Sequence, residues 1–308
     1  MALPPELKDL AARVSNWGRW GEDDQRGTLN LIDQAAVLRG VAAVKQGRAF
    51  SLAIPFDEDG PQMGLIPGRD NPQREMIAVN QSYTGDTSDF CATDDRFSMG
   101  MQAATHWDTL AHAGYEERYY NDTPFSAVDE AGCHRLGIDT VGPIATRGVL
   151  LDVARALGVD TFDDGHPITG DDLQAAADLG SIAVQPGDVL MVRTGQMAFL
   201  AQGDKLRFAD PSPGLSTKSV EWLRDHDVAA VATDTLVFEC WPCEDPAVLL
   251  PVHLLHLRDM GMLQGQLWFL DELAADCAAD GQYDGLLTAT PLPFTRGAGS
   301  PIAPTFVK

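Results

Sequence analysis

The sequence predicts an α/β fold. Short aliphatic segments read as strands buried on both faces, and amphipathic segments between them read as helices. No apolar run approaches the ~20 residues of a membrane span, and no internal repeat or low-complexity tract interrupts the pattern. The 308 residues suit one large domain or two modest ones. We read 1–308 as a single domain, with a helical N-terminal segment over 1–50.

The elements follow in order. Residues 33–47 have helical apolar spacing, with Asp33 as N-cap and Gly47 as stop. Residues 55–90 are rich in Gly, Pro and Asp and read as one long loop, of the kind that covers a site or serves an interface. GVLLDVA (148–154) and GDVLMVRTG (187–195) read as buried strands. Between and after them, 170–179 and 216–226 read as helices, the second opened by Ser216 with Trp222 and Leu223 turned inward. VAAVATDTLVFE (228–239) is a longer apolar strand region. Residues 251–261 form a helix with Pro251 in its first turn and Gly261 past its end. A last helix covers 270–279, and GLLTATPLPFT (285–295) is a late strand with an edge proline.

Composition excludes several functions. The net charge is −23, and such a surface repels phosphate backbones, so no nucleic-acid partner is expected. The N-terminus has neither an apolar signal core nor a basic leader, so no membrane partner and a cytoplasmic location are expected. Five cysteines are too few for a disulfide scaffold. CWPC (240–243) has redox-motif spacing but follows a strand late in a large chain, and reads as ordinary thiols on a loop.

The chemistry concentrates in QAATHWDTLAH (102–112). As a strand, this stretch projects Gln102, Ala104, His106, Asp108, Leu110 and His112 to one side. An imidazole and a carboxylate two residues apart chelate a divalent cation readily, with Gln102 as a weaker oxygen donor. His112 stands where it would move protons. From spacing alone, hydrogen-bonded structural histidines are the favoured reading, since His-x-Asp is common by chance.

The stretch resembles the signature His-x-Gly-Thr-His-x-Asp-x-Pro-x-His of the cyclase superfamily. These are metal-dependent hydrolases related to kynurenine formamidase, isatin hydrolase and trans-dienelactone hydrolase. Thr105, His106, Asp108 and His112 match it, while Gln102, Ala104 and Leu110 depart from it. DQRGTLNLI (24–32), RGVLLDVA (147–154), PGDVLMVRTG (186–195), ATDTLVFECWP (232–242), residues 251–277 and PLPFTRGAGSPIAPTFV (291–307) also resemble the longer members.

The resemblance implies a swivelling β/α/β fold with extended N-terminal and loop segments. It implies a homo-oligomer, dimer or tetramer, with such segments crossing to a neighbouring subunit. It also implies one divalent metal ion, zinc or manganese, on His106 and Asp108, with His112 as acid–base catalyst. His253 falls where the family has a further histidine, and Gln266 where it has a glutamate that in some members helps hold a second metal. Gln102, His253 and Gln266 are thus expected to complete the set, their amide oxygens shifting preference toward manganese or magnesium. Trp107, beside the ligands, is expected at the substrate. His256 reads as structural, and Glu239 as a solvated strand end.

The activity implied is hydrolysis of a small amide, cyclic amide or imide, N-formyl compound or lactone. The same centre would also serve cyclisation, dehydration or isomerisation of a small carbonyl compound. A non-catalytic binding homologue is the third reading.

Overall fold

The computed structural model describes residues 3–162 and 164–308. In chain order its main strands are β1 (Ala49–Ser51), β2 (Gln73–Ser82), β3 (Cys91–Ser98), β4 (His106–Asp108), β5 (Ala145–Asp152) and β6 (Val189–Arg193). They continue with β7 (Ala230–Thr233), β8 (Leu263–Gln266), β9 (Asp284–Thr288), β10 (Gly299–Pro301) and β11 (Thr305–Val307). Nine of them form one mixed sheet in the order β1-β11-β9-β5-β6-β7-β8-β4-β10.

The centre of that sheet, β5-β6-β7-β8, is parallel. Its residues alternate between two cores, as continuous aliphatic runs must when both faces are covered. Val149, Leu151, Leu190, Val192 and Val231 enter one core, where Leu173 and Ala176 of helix Gly170–Leu179 meet them. Leu150, Met191, Ala230 and Ala232 enter the other, against Leu273 and Cys277 of helix Asp271–Asp280. No helix among the described residues is long and apolar enough to cross a membrane.

Most of the expected elements are present, with shorter bounds. Asp33 caps the helix Gln34–Ala43 by accepting the Ala36 N–H at 2.8 Å, but the helix ends before Gly47 because Val44 turns extended. Thr169 opens Gly170–Leu179 with a capping box closed by Asp172. The expected helix over 251–261 is a three-residue α-turn, Pro251–His253, that runs on as a π-helix, Leu254–Met260. It stops at Gly261 in the left-handed conformation (φ 65°).

The segment 55–90 corrects the sequence reading. Residues 73–82 of it are not loop: they form β2, which pairs with β3 in an antiparallel hairpin that joins no other strand. Most of its side chains are exposed on both faces, so no buried–exposed alternation marks it in the sequence.

Candidate functional site

Strand β4 sets the geometry. It is three residues long and wholly buried. Antiparallel pairing with β8 places Gln266 opposite His106 and Gln264 opposite Asp108. Alternation then puts His106, Asp108 and Gln266 on one face of the sheet.

The His106 Nδ1 lies 2.7 Å from the Ala104 carbonyl, which only accepts. Nδ1 therefore carries the proton, and the lone pair of neutral His106 sits on Nε2. That Nε2 is buried without a hydrogen-bond partner, and so is Oδ1 of Asp108. The two atoms are 3.6 Å apart. Metal–nitrogen and metal–oxygen bonds of roughly 2.0–2.2 Å together exceed that separation, so one cation can touch both. A backbone carbonyl behind the ligating histidine is the support such ligands take. Among the described residues, no three His, Cys, Asp or Glu side chains close into a ready cage. The fit is therefore to a cation held by two protein ligands and completed by other groups.

The remaining groups gather around the same carboxylate. His112 Nδ1 is 3.7 Å from Asp108 Oδ1. A turn at Thr109, whose carbonyl accepts the His112 N–H, folds the ring back over the strand end. Burial opposes the Asp108 charge, yet the imidazoles of His112, His106 and His253 hold its carboxyl below the ordinary range. Burial also lowers the His112 pKa; the Asp108 charge opposes this, while His253, Arg69 and His106 add to it. The ring is neutral near pH 7 and free to accept a proton.

Gln266 donates one amide N–H to Asp108 Oδ2 at 2.7 Å, and its nitrogen lies 3.4 Å from His253 Nε2. The amide cannot be reversed, since that carboxylate oxygen only accepts. Gln266 thus bridges Asp108 and His253 as a donor here, where the resemblance implied an oxygen ligand.

Glu239 is a second correction. It is buried (1% exposed) rather than solvated. Its carboxylate accepts the backbone N–H groups of Val252 and His253 at 3.0 and 2.9 Å, and the His253 Nδ1–H at 2.5 Å. Leu250, in the left-handed conformation, makes the turn that brings the helix start to this carboxylate. The arrangement leaves the His253 lone pair on Nε2, aimed at Gln266.

His112, His253 and Gln266 border a cavity of about 570 Å³. Its other walls are mostly apolar and include Leu65, Ile66, Leu236 and Trp241, with Arg69 among them. The walls thus draw on 62–69, part of the Gly- and Pro-rich segment. Arg69 carries no motif of its own, while Glu239 and Trp241 lie in the family-like stretch ATDTLVFECWP (232–242). Only the density of Gly and Pro around Arg69 hints at a site cover.

Two expected residues lie elsewhere. Trp107 is fully buried, packs edge-on against Trp268 at 5.0 Å, and donates Nε1–H to the Ala289 carbonyl at 2.8 Å. It belongs to the core and does not border the cavity, because alternation sends it to the opposite face of β4. Gln102 precedes the strand, in a turn, so the shared-face argument does not reach it. Its amide donates to the Ala298 carbonyl at 3.3 Å.

His256 is fully buried beside Phe238, and burial pushes its pKa down to about 3, which makes it a neutral core group. Burial pushes the Cys240 thiol up to about 12 and raises Cys243 too, the opposite of what a redox thiolate needs.

Comparisons with known proteins bear on the whole chain. No curated protein matches the sequence. A solved structure, described as a novel cyclase, is 36% identical, with a TM-score of 0.87 over 96% of this chain and 99% of that chain. Isatin hydrolase A from Ralstonia solanacearum shares the fold at 21% identity and TM-score 0.62, over 89% of this chain and 95% of its own. A predicted metal-dependent hydrolase from Bacillus stearothermophilus shares it at 17% identity and TM-score 0.53, over 85% and 98%. The family model described as "Putative cyclase" matches residues 50–240. With a relative above 30% identity along nearly its full length, the chain belongs to the cyclase family.

Proposed function

We propose that this chain is a metal-dependent hydrolase. It cuts a C–N or C–O bond of a small amide, cyclic amide or imide, N-formyl compound or lactone. One observation carries the reading: His106 Nε2 and Asp108 Oδ1 are buried, partnerless and 3.6 Å apart, beside the histidines that border the cavity. The metal-dependent hydrolase and isatin hydrolase neighbours support it.

Manganese or zinc, with magnesium as the harder alternative, would be held by His106 and Asp108 and would supply Lewis-acid polarisation of a carbonyl. His112 takes the proton of the attacking water and returns it to the leaving nitrogen or oxygen. Gln266 fixes the Asp108 carboxylate, and Glu239 fixes the tautomer of His253, so the polar groups meet the substrate already oriented. The apolar walls hold the body of the substrate.

The test is His106→Ala, assayed for bound metal by elemental analysis and for turnover of a panel of formamides, imides and lactones. Loss of both is expected. Persistence of both would place the centre elsewhere. Incorporation of one oxygen from 18O-labelled water into a carboxylate product, read by mass spectrometry, distinguishes hydrolysis from cyclisation or isomerisation.

The reading includes a homo-oligomer, supported by the hairpin. Ile77, Val79, Tyr83, Phe90 and Phe97 are each more than half exposed there, a concentration of apolar surface that monomers seldom leave in water. Light scattering should return a dimer or tetramer, and a monomer would remove this part of the proposal.

A further inference from the structure

Arg69 is a cation on the cavity wall that has no ion-pair partner among the described residues. Arg147 and Arg193, by contrast, are ion-paired: Arg147 lies 2.5 Å from Asp188, and Arg193 lies 2.9 Å from Asp152. Burial lowers the Arg69 pKa, and the Asp108 charge opposes the fall. The influence runs on to His112, whose proton affinity Arg69 reduces. Arg69 borders the same cavity as His112, His253 and Gln266.

A partly desolvated guanidinium with no ion-pair partner is unfavourable, unless an anion arrives to complete it. Its planar fork matches a carboxylate through two parallel N–H···O bonds. The surfaces beside it, Leu65, Ile66, Leu236 and Trp241, suit an apolar body. The cavity's own carboxylate, Asp210, disfavours a second negative charge on the ligand.

We propose that Arg69 is a specificity-determining residue that grips a carboxylate carried by the substrate next to its reacting carbonyl. The substrate class is then a small apolar or aromatic monocarboxylate whose amide, imide or lactone bond lies beside the acid group. This rests on the hydrolase reading of the same cavity, and it adds a charge requirement that the reading lacks.

Equilibrium binding separates the two. Calorimetric titration of the purified protein with phenylacetate and with phenylacetamide compares an acid with its neutral analogue. The native chain should bind the acid at least about tenfold more tightly, as a charge-assisted pair allows. Arg69→Met should bind both alike, and Arg69→Lys, with the charge but without the fork, should keep part of the preference. The titrations are repeated after dialysis against a chelator, and the Arg69-dependent preference should survive.

Absence of a preference in the native chain, or an intact preference in Arg69→Met, overturns the proposal. So does a preference that vanishes with chelation, because the acid would then be a metal ligand. So does loss of both ligands in both variants, because Arg69 would then only shape its loop. None of these outcomes depends on turnover. If binding behaves as expected while the formamide, imide and lactone panel stays unreacted, the hydrolase reading fails and the carboxylate site stands.

Discussion

Glu239 and His253 form a buried pair, with Oε1 of Glu239 2.5 Å from Nδ1 of His253 and 2.9 Å from its backbone nitrogen. One carboxylate thus caps the helix that starts at Pro251 and orients the histidine that helix carries. Glu239→Ala should lower unfolding stability by about 3 kcal/mol, because it removes a buried charged acceptor and leaves N–H groups unpaired. Glu239→Gln keeps one oxygen and should cost less stability, but should reduce kcat about tenfold or more through the loosened imidazole. Denaturant titration and steady-state kinetics on both variants check the split. Equal losses in stability with unchanged kcat would reduce Glu239 to a cap.

The Gln266 amide occupies the space between Asp108 and His253, 2.7 Å from the one and 3.4 Å from the other. Gln266→Glu places a second carboxylate against Asp108, which repels it unless a cation intervenes. The variant should lose stability in chelator and regain it with manganese or zinc, and should hold more divalent cation per chain than the native protein. Thermal melts with and without metal, beside elemental analysis, test this. A variant indifferent to metal would contradict the cation assignment.

Trp107→Phe addresses the core position directly. It removes the Nε1–H bond to Ala289 and part of the edge contact with Trp268. A cost of about 1–3 kcal/mol is expected from the cavity and the stranded carbonyl. KM should not move, since the ring borders no part of the cavity. A KM increase with unchanged stability would return Trp107 to the substrate.

Asp259 gives a pH dependence away from the site. Burial pushes its carboxyl up from 3.8 to about 6, despite Arg258 and the Tyr115 hydroxyl beside it. Between those values the folded chain binds more protons than the unfolded chain. The contribution to stability is therefore full below about pH 4 and is lost as pH rises through 6. It amounts to on the order of 3 kcal/mol. Asp259→Asn cannot titrate, so its stability should fall less than that of the native chain between pH 4 and pH 7. Urea unfolding at the two pH values measures the difference, and parallel pH profiles would refute the assignment.

How much of this was legible depends on what each residue answers to. Val149, Leu151, Leu190 and Val192 announce buried strands because both faces are covered, and the capping box at Thr169 and Asp172 is local chemistry written in sequence. His106 and Asp108 are recognisable by type and spacing. The alternation that joined them also carried Trp107 to the other face, so the rule that found the ligands already excluded it. Gln102 was beyond reach because β4 begins only at His106. Glu239 could not be read because its role depends on the Leu250 turn, which brings a distant helix start to it. The hairpin stayed hidden because strands wet on both sides leave no periodicity.

Arg69 stands four residues before β2, on the same stretch of chain that becomes the exposed hairpin. Whatever anchors the hairpin therefore also steadies the cavity wall. If that anchor is a neighbouring copy, as the proposed homo-oligomer would supply, mass action governs the shape of the binding site. Specific activity should then fall on dilution while the parallel sheet and the His106–Asp108 pair remain intact, and a specific activity independent of protein concentration would refute it.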